Sequence, residues 1–159
     1  MECYRFSPIG IIHTPYTERV GMPIQPPGGG GGKGHIEVFP EFQDGLKDIE
    51  GFSHLILIFV FHLSEGFKLQ VCPFLEDEIH GVFAVRAPKR PNPIGLSVVK
   101  LDCRVGNMLH IDNPDMLDGT PLLDIKPYIA DFDSYPKSIS GWQQKHSGKV
   151  KSIKSDERF

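Results

Sequence analysis

The apolar positions of this chain recur mostly with the two-residue period of β-strands. Polar and apolar residues alternate over residues 35–39 and 100–105, which is typical of strands with one buried face. Residues 55–61 are apolar throughout and rich in β-branched and aromatic types, so they predict a strand buried on both faces. Shorter stretches of the same character predict further strands over residues 4–12, 70–73, 81–86, 96–101, 108–112 and 123–128.

Helical and turn signals are sparse. Residues 41–50 and parts of the C-terminal segment predict short helices, and Gly45 weakens the first of them. Gly106-Asn107 predicts a hairpin turn. Many short strands separated by proline- and glycine-containing turns favour an all-β fold, a closed or nearly closed barrel with short helices and an irregular C-terminal tail.

The charge is divided unevenly along the chain. The 159 residues fit one domain and carry a formal net charge of −3, but residues 137–159 have a net charge of +4 and residues 1–136 of −7. We therefore divide the chain into a barrel domain, 1–136, and a basic tail, 137–159, which we expect to be loosely packed or disordered. Such a tail can contact a polyanion, although short lysine-rich ends are more often simply solvated.

Several common classes of site are absent from the sequence. The three cysteines form no CxxC pair, and His54 and His62, eight residues apart on one face of a predicted strand, lack companion ligands, so we predict no disulfide framework and no metal site. No signal-peptide pattern occurs, and no apolar run approaches the roughly 20 residues of a membrane helix. We therefore expect a cytoplasmic protein without a membrane partner.

The glycine-rich segment before residue 35 invites two nucleotide-binding interpretations, and both fail. Gly29-x-Gly31-x-x-Gly34 matches the dinucleotide fingerprint, but that motif needs a preceding strand and a following helix. Here the proline-rich stretch 22–27 precedes it and a predicted strand follows. The phosphate-binding loop also fails, because Gly34 stands where a serine or threonine must hold magnesium.

The most informative stretch is the loop over residues 86–95, which contains three prolines and three basic residues. Asn92 lies between Pro91 and Pro93, and because proline restricts its own backbone and that of the preceding residue, the Asn92 backbone has little freedom. A polar amide held in this way beside basic side chains indicates a preorganised site. The alternative is a proline-stiffened connection with no chemistry of its own.

Four blocks carry a resemblance to a known family: residues 9–16 with 22–27, residues 51–62, the loop 86–95, and residues 115–128. The combination of Arg-Pro-Asn-Pro-Ile-Gly at 90–95 with Asp-Gly-Thr-Pro at 118–121 and Asp-Ile-Lys-Pro-Tyr at 124–128 resembles the TsaA/TrmO family of tRNA methyltransferases, over about residues 4–133. The resemblance implies a small antiparallel TsaA-like β-barrel that binds S-adenosylmethionine without a Rossmann sheet, usually as a homodimer with the cofactor near the subunit interface. It implies N6-methylation of threonylcarbamoyl adenosine at position 37, in the tRNA anticodon loop.

The resemblance also implies a set of cofactor contacts. They fall on Pro26, Pro27, Gly28, His62, Leu63, Arg86, Val98, Pro114, Asp115, Met116 and Leu117. Arg86 could pair with the methionyl carboxylate, and Asp115 could accept hydrogen bonds from the ribose or the amino group. Leu63, Met116 and Leu117 could wall the adenine. Ordinary core packing is the alternative for Leu63, Val98 and Leu117.

Methyl transfer requires alignment of the two reactants and exclusion of water more than covalent help from the protein. Asn92 could accept the N6–H bond of the target adenine and orient the base. Asp118 is the second candidate, as proton acceptor, unless its carboxylate only caps the turn that contains Gly119.

Contacts to RNA are expected from four further residues. Lys89 and Arg90 would meet anticodon-loop phosphates, and Tyr16 or Tyr128 could stack on a base. Other functions remain open: a barrel that binds S-adenosylmethionine or another adenine nucleoside without turnover, a methyltransferase for a different RNA, and a structural barrel whose proline loop shapes a dimer contact.

Overall fold

The computed structural model describes residues 2–24, 32–75, 77–146 and 154–156. The strands in these ranges are β1 (Gly10–His13), β2 (Lys33–Val38), β3 (His54–Val60), β4 (Gln70–Val71), β5 (His80–Gly81), β6 (Ile94–Val105), β7 (Met108–Asp112) and β8 (Thr120–Pro127). The helices are α1 (Ala130–Asp133) and 3-10 turns over Pro40–Leu46, Ile49–Gly51, Val82–Ala84 and Gly141–His146. No helix in the described ranges is long and apolar enough to cross a membrane.

Six of the strands form a closed barrel in the order β1-β2-β7-β6-β3-β8, with every neighbouring pair antiparallel. Strands β4 and β5 form a separate two-stranded sheet. The predicted all-β fold, a small antiparallel barrel with short helices, is confirmed.

The barrel interior accounts for the hydrophobic core. Leu55, Leu57 and Phe59 of β3 point inward and are at most 2% exposed, whereas the alternating positions of β3 are partly exposed on the outer surface. The prediction that residues 55–61 are buried on both faces is therefore wrong. A closed barrel has a single interior, so only every second residue of a strand can enter it.

Several predicted boundaries also differ. Residues 96–101 and 100–105 belong to one continuous strand, β6, and the predicted strand at 4–12 is reduced to β1. Of residues 81–86 only Gly81 belongs to a strand, β5, because Val82–Ala84 forms a 3-10 turn. The backbone carbonyls of Val82 and Val85 accept hydrogen bonds from Arg90 Nη1 at 3.0 and 2.8 Å, so a side chain satisfies them instead of a neighbouring strand.

The predicted turn at Gly106-Asn107 is confirmed as the β6–β7 connection. Gly106 has a φ of +62°, a conformation that glycine adopts without strain. Asn107 Nδ2 donates to the Val38 carbonyl at 2.7 Å, and the Val38 N–H donates to the Asn107 carbonyl at 3.1 Å. The hairpin is therefore fastened to β2 as well.

Part of the predicted loose tail is packed. Trp142 donates a hydrogen bond from Nε1 to the Ala84 carbonyl at 2.9 Å and stacks on His80 with ring centroids 4.7 Å apart. It also covers the small apolar cluster of Val71, Val85 and Ala87. Residues 147–153 and 157–159 lie outside the described residues, and the expectation for them stays a prediction.

The two ends of the barrel differ. The end where β3 finishes, here called the cleft end, gathers the segments 19–24, 61–64, 86–88 and 115–117. At the opposite end, called the helix end, the 3-10 turn Pro40–Leu46 lies against the barrel, and Arg104 Nη1 donates to the Leu46 carbonyl at 2.8 Å. His54 begins β3 and His62 follows its end, so the two histidines of the predicted common face lie at opposite ends of the barrel.

Candidate functional site

An open cleft occupies the cleft end. Its apolar wall consists of Met22, Pro23, Ile24, Phe59, Phe61, Leu63, Phe74, Pro88, Met116 and Leu117. Its polar groups belong to Arg19, His62, Ser64, Arg86, Asp115, Thr120, Ser155 and Asp156. A mostly apolar cavity with a few charged groups is typical of a site for a small organic ligand.

The floor of the cleft depends on a glycine. Phe59 lies with its ring over Gly95 of the neighbouring strand β6, where any Cβ atom would clash with the ring carbons. Phe61 meets Phe59 edge to face, with centroids 5.4 Å apart and an interplanar angle of 81°. Because Gly95 has no side chain, both rings can form the apolar floor.

The central charged group of the cleft is Asp115. Ser97, which points into the barrel and is 3% exposed, donates a hydrogen bond from Oγ to Asp115 Oδ1 at 2.6 Å. Burial raises the pKa of the Asp115 carboxyl to about 6, although the Ser97 hydrogen bond and the positive charge of Arg86 act in the opposite direction. A carboxylate in these surroundings favours a cationic or hydrogen-bond-donating ligand group.

Two threonines hold the segment that follows Asp115. Thr14 Oγ1 donates to the Met116 carbonyl at 2.9 Å, and Thr120 Oγ1 donates to the Leu117 carbonyl at 2.7 Å. These bonds connect the segment to the end of β1 and the start of β8. The side chains of Met116 and Leu117 are thereby fixed against the cleft.

Asp118 is bound to the end of β1. Its Oδ1 accepts the Thr14 N–H at 3.0 Å and lies 3.4 Å from His13 Nδ1, while its own N–H donates to the Tyr16 carbonyl at 2.7 Å. The residue is exposed and is not among the residues that line the cleft. Its contacts account for a turn-fixing role, and its role as proton acceptor stays a prediction.

Tyr16 lies close enough to the cleft to respond to Asp115. Burial raises the pKa of the Tyr16 phenol, and the negative charge of Asp115 raises it further. The ring is partly buried. Tyr16 is therefore positioned near the charged part of the cleft, where its predicted contact to a base stays a prediction.

The proline loop is held on both sides. Arg90 Nη1 donates to the carbonyls of Val82 and Val85, and its guanidinium lies 5.9 Å from the centroid of the Phe83 ring. The Pro93 carbonyl accepts the Phe61 N–H at 2.8 Å, which ties the loop to the cleft floor. Arg90 therefore supports the loop internally, and its predicted phosphate contact stays a prediction.

Asn92 and Lys89 lie at the rim of the cleft. Asn92 is exposed, and its carbonyl accepts the Ile94 N–H at 2.7 Å. Lys89 is partly buried, follows the cleft-lining Pro88, and its carbonyl accepts the Lys68 N–H at 3.2 Å. Neither residue lines the cleft, and the predicted roles of both side chains stay predictions.

The predicted cofactor contacts divide into three groups. Six of them line the cleft together: His62, Leu63, Arg86, Asp115, Met116 and Leu117. Val98 and Pro114 do not line it, since Val98 is on the outer face of β6 opposite Ile56 and Pro114 is fully buried. Pro26, Pro27 and Gly28 lie outside the described residues.

Tyr128 is not brought to the cleft. It lies at the helix end, where its N–H donates to the His54 carbonyl at 3.1 Å and its ring meets His54 edge to face at 6.2 Å. Strand β3, seven residues long, separates His54 from the cleft by about 20 Å. A base bound in the cleft could not stack on Tyr128 of the same chain.

Sequence reasoning missed several lining residues. Phe61 is adjacent to the predicted His62 and could have been included with it. Phe74, Arg19, Ser155 and Asp156 belong to no motif, and only the packing of distant segments brings them to the cleft.

Fold and cleft together define a small antiparallel barrel that binds a ligand with apolar and ionic parts at one end. Residues 11–134 match the family model described as the tRNA-methyltransferase O N-terminal domain, so the chain belongs to the tRNA-methyltransferase O family.

Relatives from archaea and bacteria support the assignment. The chain is 54% identical over 159 residues to a probable S-adenosyl-L-methionine-binding protein of Pyrococcus abyssi, covering 100% of this chain and 85% of the relative. It is 35% identical over 154 residues to the tRNA (adenine(37)-N6)-methyltransferase of Escherichia coli, covering 91% of this chain and 66% of that protein. The crystal structure of TrmO from Pseudomonas aeruginosa superposes with a TM-score of 0.75 at 36% identity, covering 89% of this chain and 63% of that one. The bacterial relatives are therefore longer than the part that this chain spans.

Proposed function

We propose that this chain is an S-adenosylmethionine-dependent tRNA methyltransferase that methylates N6 of adenosine 37 in the anticodon loop. The proposal includes the threonylcarbamoyl form of that adenosine as the substrate. The observation that carries it is the cleft, which combines Arg86 and Asp115 with an apolar, aromatic wall in a chain of this family.

The cleft residues suit the chemistry of the cofactor. Arg86 would hold the methionyl carboxylate in a charge-assisted pair, and Asp115 would accept hydrogen bonds from the ribose hydroxyls or the amino group. The rings of Phe61 and Phe74 provide surfaces for the adenine and for a positively charged sulfur. When bound, S-adenosylmethionine supplies a methyl group on a sulfonium, which leaves the protein the tasks of orientation and water exclusion.

Residues at the rim would act on the RNA. Asn92, on a loop tied to the cleft floor through Pro93, would accept the N6–H bond of the target adenine and orient its nitrogen toward the methyl group. Lys89, beside it, would contact a phosphate of the anticodon loop. Transfer of the methyl group from sulfur to N6 would break the S–C bond, leave S-adenosylhomocysteine and release the N6 proton, for which Asp118 is the candidate acceptor within the chain.

The test is transfer of labelled methyl from S-adenosylmethionine to tRNA from cells that lack this protein, followed by digestion and identification of the nucleoside. Label in the threonylcarbamoyl adenosine peak is expected. Asn92→Ala should abolish the label while leaving cofactor affinity within about twofold, because the side chain acts on the substrate and not on the cofactor. Gln144→Ala, which removes an exposed amide away from the cleft, is the matched control.

Two results would redirect the proposal. Cofactor binding without label would favour a binding module without turnover or a different RNA substrate. Label in plain adenosine 37 would remove the threonylcarbamoyl requirement and leave the reaction intact.

The outer face of the barrel supports the further proposal of a homodimer. Three apolar cross-strand pairs lie side by side on the surface of β3 and β6: Ile56–Val98, Ile58–Leu96 and Val60–Ile94. Ile94 and Leu96 are 41% and 50% exposed. A continuous apolar strip of this kind marks an interaction surface, and a second copy of the chain would cover it.

Leu96→Glu should convert a dimer to a monomer in size-exclusion chromatography with light scattering. Val105→Glu changes another exposed apolar residue at the far end of β6 and should leave the dimer intact. A monomeric wild-type protein would refute the proposed interface. The cytoplasmic location predicted from the sequence belongs to the same proposal, since it follows from action on tRNA.

A further inference from the structure

Residues 154–156, near the C-terminus, lie against the segment that borders the cleft. The Ser155 N–H donates to the Met22 carbonyl at 3.0 Å, and the Gly21 N–H donates to the Ser155 carbonyl at 2.9 Å. An isolated antiparallel bridge joins Pro23 to Lys154. The chain therefore returns over more than 130 residues to complete a short two-stranded contact at the cleft.

The Ser155 side chain adds to this attachment. Its Oγ accepts the Met22 N–H at 3.0 Å and is within hydrogen-bonding distance of the carbonyls of Arg19 and Met22. Backbone and hydroxyl of one residue are thus bound to the same segment. This fixes the position of the next residue, Asp156, and both residues line the cleft.

The charge of Asp156 is unusual for its part of the chain. Asp156 and Glu157 are the only acidic residues after position 136, in a segment with six lysines and arginines. Among the described residues that line the cleft, Asp156 is the second carboxylate beside Asp115, and the arginines are Arg19 and Arg86. Asp115 is bound to Ser97 of the barrel, whereas Asp156 follows a residue that is bound to the segment 21–23.

We propose that residues 154–156 form a wall of the cofactor cleft and that the Asp156 carboxylate contacts a cationic group of the cofactor. The inference rests on the proposed function, because it takes S-adenosylmethionine as the ligand. That molecule carries two cationic centres, the ammonium and the sulfonium, and one carboxylate. Arg86 would pair with the carboxylate, and the two aspartates of the lining, Asp115 and Asp156, match the two positive centres.

The experiment is isothermal titration calorimetry of S-adenosylmethionine and of its product, S-adenosylhomocysteine, into the full chain. Asp156→Asn should weaken S-adenosylmethionine binding by about tenfold, as expected for loss of a charge-assisted contact. Asp131→Asn, which removes an exposed carboxylate of α1 outside the cleft, should bind as the wild type does. Ser155→Ala should weaken binding by a smaller factor, because the two backbone hydrogen bonds of residue 155 remain.

The product identifies the group that Asp156 contacts. S-adenosylhomocysteine retains the ammonium but lacks the sulfonium, so equal weakening of both ligands supports contact with the ammonium, and weakening of S-adenosylmethionine alone supports contact with the sulfonium. Unchanged affinity of Asp156→Asn for both ligands would overturn the inference while the proposed function stands. A wild-type chain without affinity for S-adenosylmethionine would overturn the proposed function itself. Unchanged melting temperatures would show that the variants report on binding.

Discussion

The two ends of the barrel both carry a cavity, but they differ in chemistry. The cavity at the helix end is bordered mostly by apolar side chains, among them Phe42, Leu46 and Ile125. Its charged residues are Glu41, Lys47 and Asp124. The cleft end also has a largely apolar wall, but its described lining includes two arginines and two aspartates, and burial raises the pKa of one of these aspartates, Asp115.

The two ends are also built from different parts of the sequence. The helix end is covered by one continuous stretch, residues 40–52, that follows β2 directly. The cleft end collects segments from six separate parts of the described chain. Loops from distant positions can bring together charged groups that no single segment could hold, which is why functional sites concentrate at such loop clusters. Apolar cavity walls alone do not distinguish a site from a packing gap.

Replacing one arginine at each end of the barrel by alanine tests whether the two ends differ in function. Arg86→Ala should weaken S-adenosylmethionine binding by about 10- to 100-fold, because the side chain proposed to hold the carboxylate is lost. Stability should change little, since Arg86 is exposed. Calorimetric titration and thermal unfolding measure the two quantities.

Arg104→Ala at the helix end is the matched variant. Arg104 donates to the carbonyls of Leu46 and Gly106 at 2.8 and 2.7 Å, so its loss should lower the free energy of unfolding by about 1–2 kcal/mol and leave cofactor affinity unchanged. An affinity loss in Arg104→Ala equal to that in Arg86→Ala would mean that both act through stability, and the distinction between the two ends would fail.

A glycine at each end of the barrel, Gly95 and Gly45, can also be replaced by alanine. Gly95→Ala should destabilise the fold by about 1–3 kcal/mol, because the new methyl group displaces the Phe59 ring. The displaced ring would also enter the cleft floor, so cofactor affinity should fall with it. Denaturant unfolding and titration of the same variant measure both effects.

Gly45→Ala at the helix end has nothing within 4 Å of its new Cβ atom and should be neutral or slightly stabilising. Full affinity in a destabilised Gly95→Ala variant would show that Phe59 belongs to the core alone. The cleft floor would then have to be reassigned to Phe61.

The sequence predicted the barrel well where local patterns decide the structure. The strand over residues 100–105 and the turn at Gly106-Asn107 both depend on neighbouring residues, and both are confirmed. The predicted buried face of that strand ends at Leu101, because the register shifts between Leu101 and Cys103, and Cys103 and Val105 are exposed. The apolar stretch 55–61 was misassigned because its outer face is apolar too, and a surface strip cannot be distinguished from a second buried face by hydrophobicity. The 3-10 turn at Val82–Ala84 was missed because it depends on a side chain several residues away, Arg90.

The candidate site was predicted only in part. Arg86 and residues 115–117, which the resemblance assigns to cofactor contacts, line the cleft. They lie in or next to the loop motifs on which the resemblance depends. Val98 was assigned through the same resemblance, but its side chain is on the outer face of β6. Tyr128 follows the end of β8 that is far from the cleft. Ser155 and Asp156 reach the cleft only through long-range backbone pairing, for which the sequence has no local signal.

The smallest expected effect, and the most specific one, is the pH response of Asp115. Its carboxyl has a pKa of about 6 in the folded chain and about 4 when unfolded, so the folded state retains the proton over that interval. Stability contributed by this group is therefore present at low pH and lost as the pH rises from about 4 to about 6. The loss should be about 1 kcal/mol, smaller than the full shift implies, because the carboxyl keeps some contact with solvent.

Cofactor affinity should change in the opposite direction. A cationic or hydrogen-bond-donating ligand prefers the ionised Asp115, so affinity should rise by about fivefold between pH 5 and pH 7. Asp115→Asn should remove this rise in affinity and the fall in stability together, whereas Asp124→Asn at the helix end should retain both. The free energy of unfolding and the affinity for S-adenosylmethionine are measured at the same pH values for wild type and variant. The difference between the two proteins removes the contribution of the other carboxylates. If Asp115→Asn kept both slopes, Asp115 would not be the group that gives the cleft its pH response.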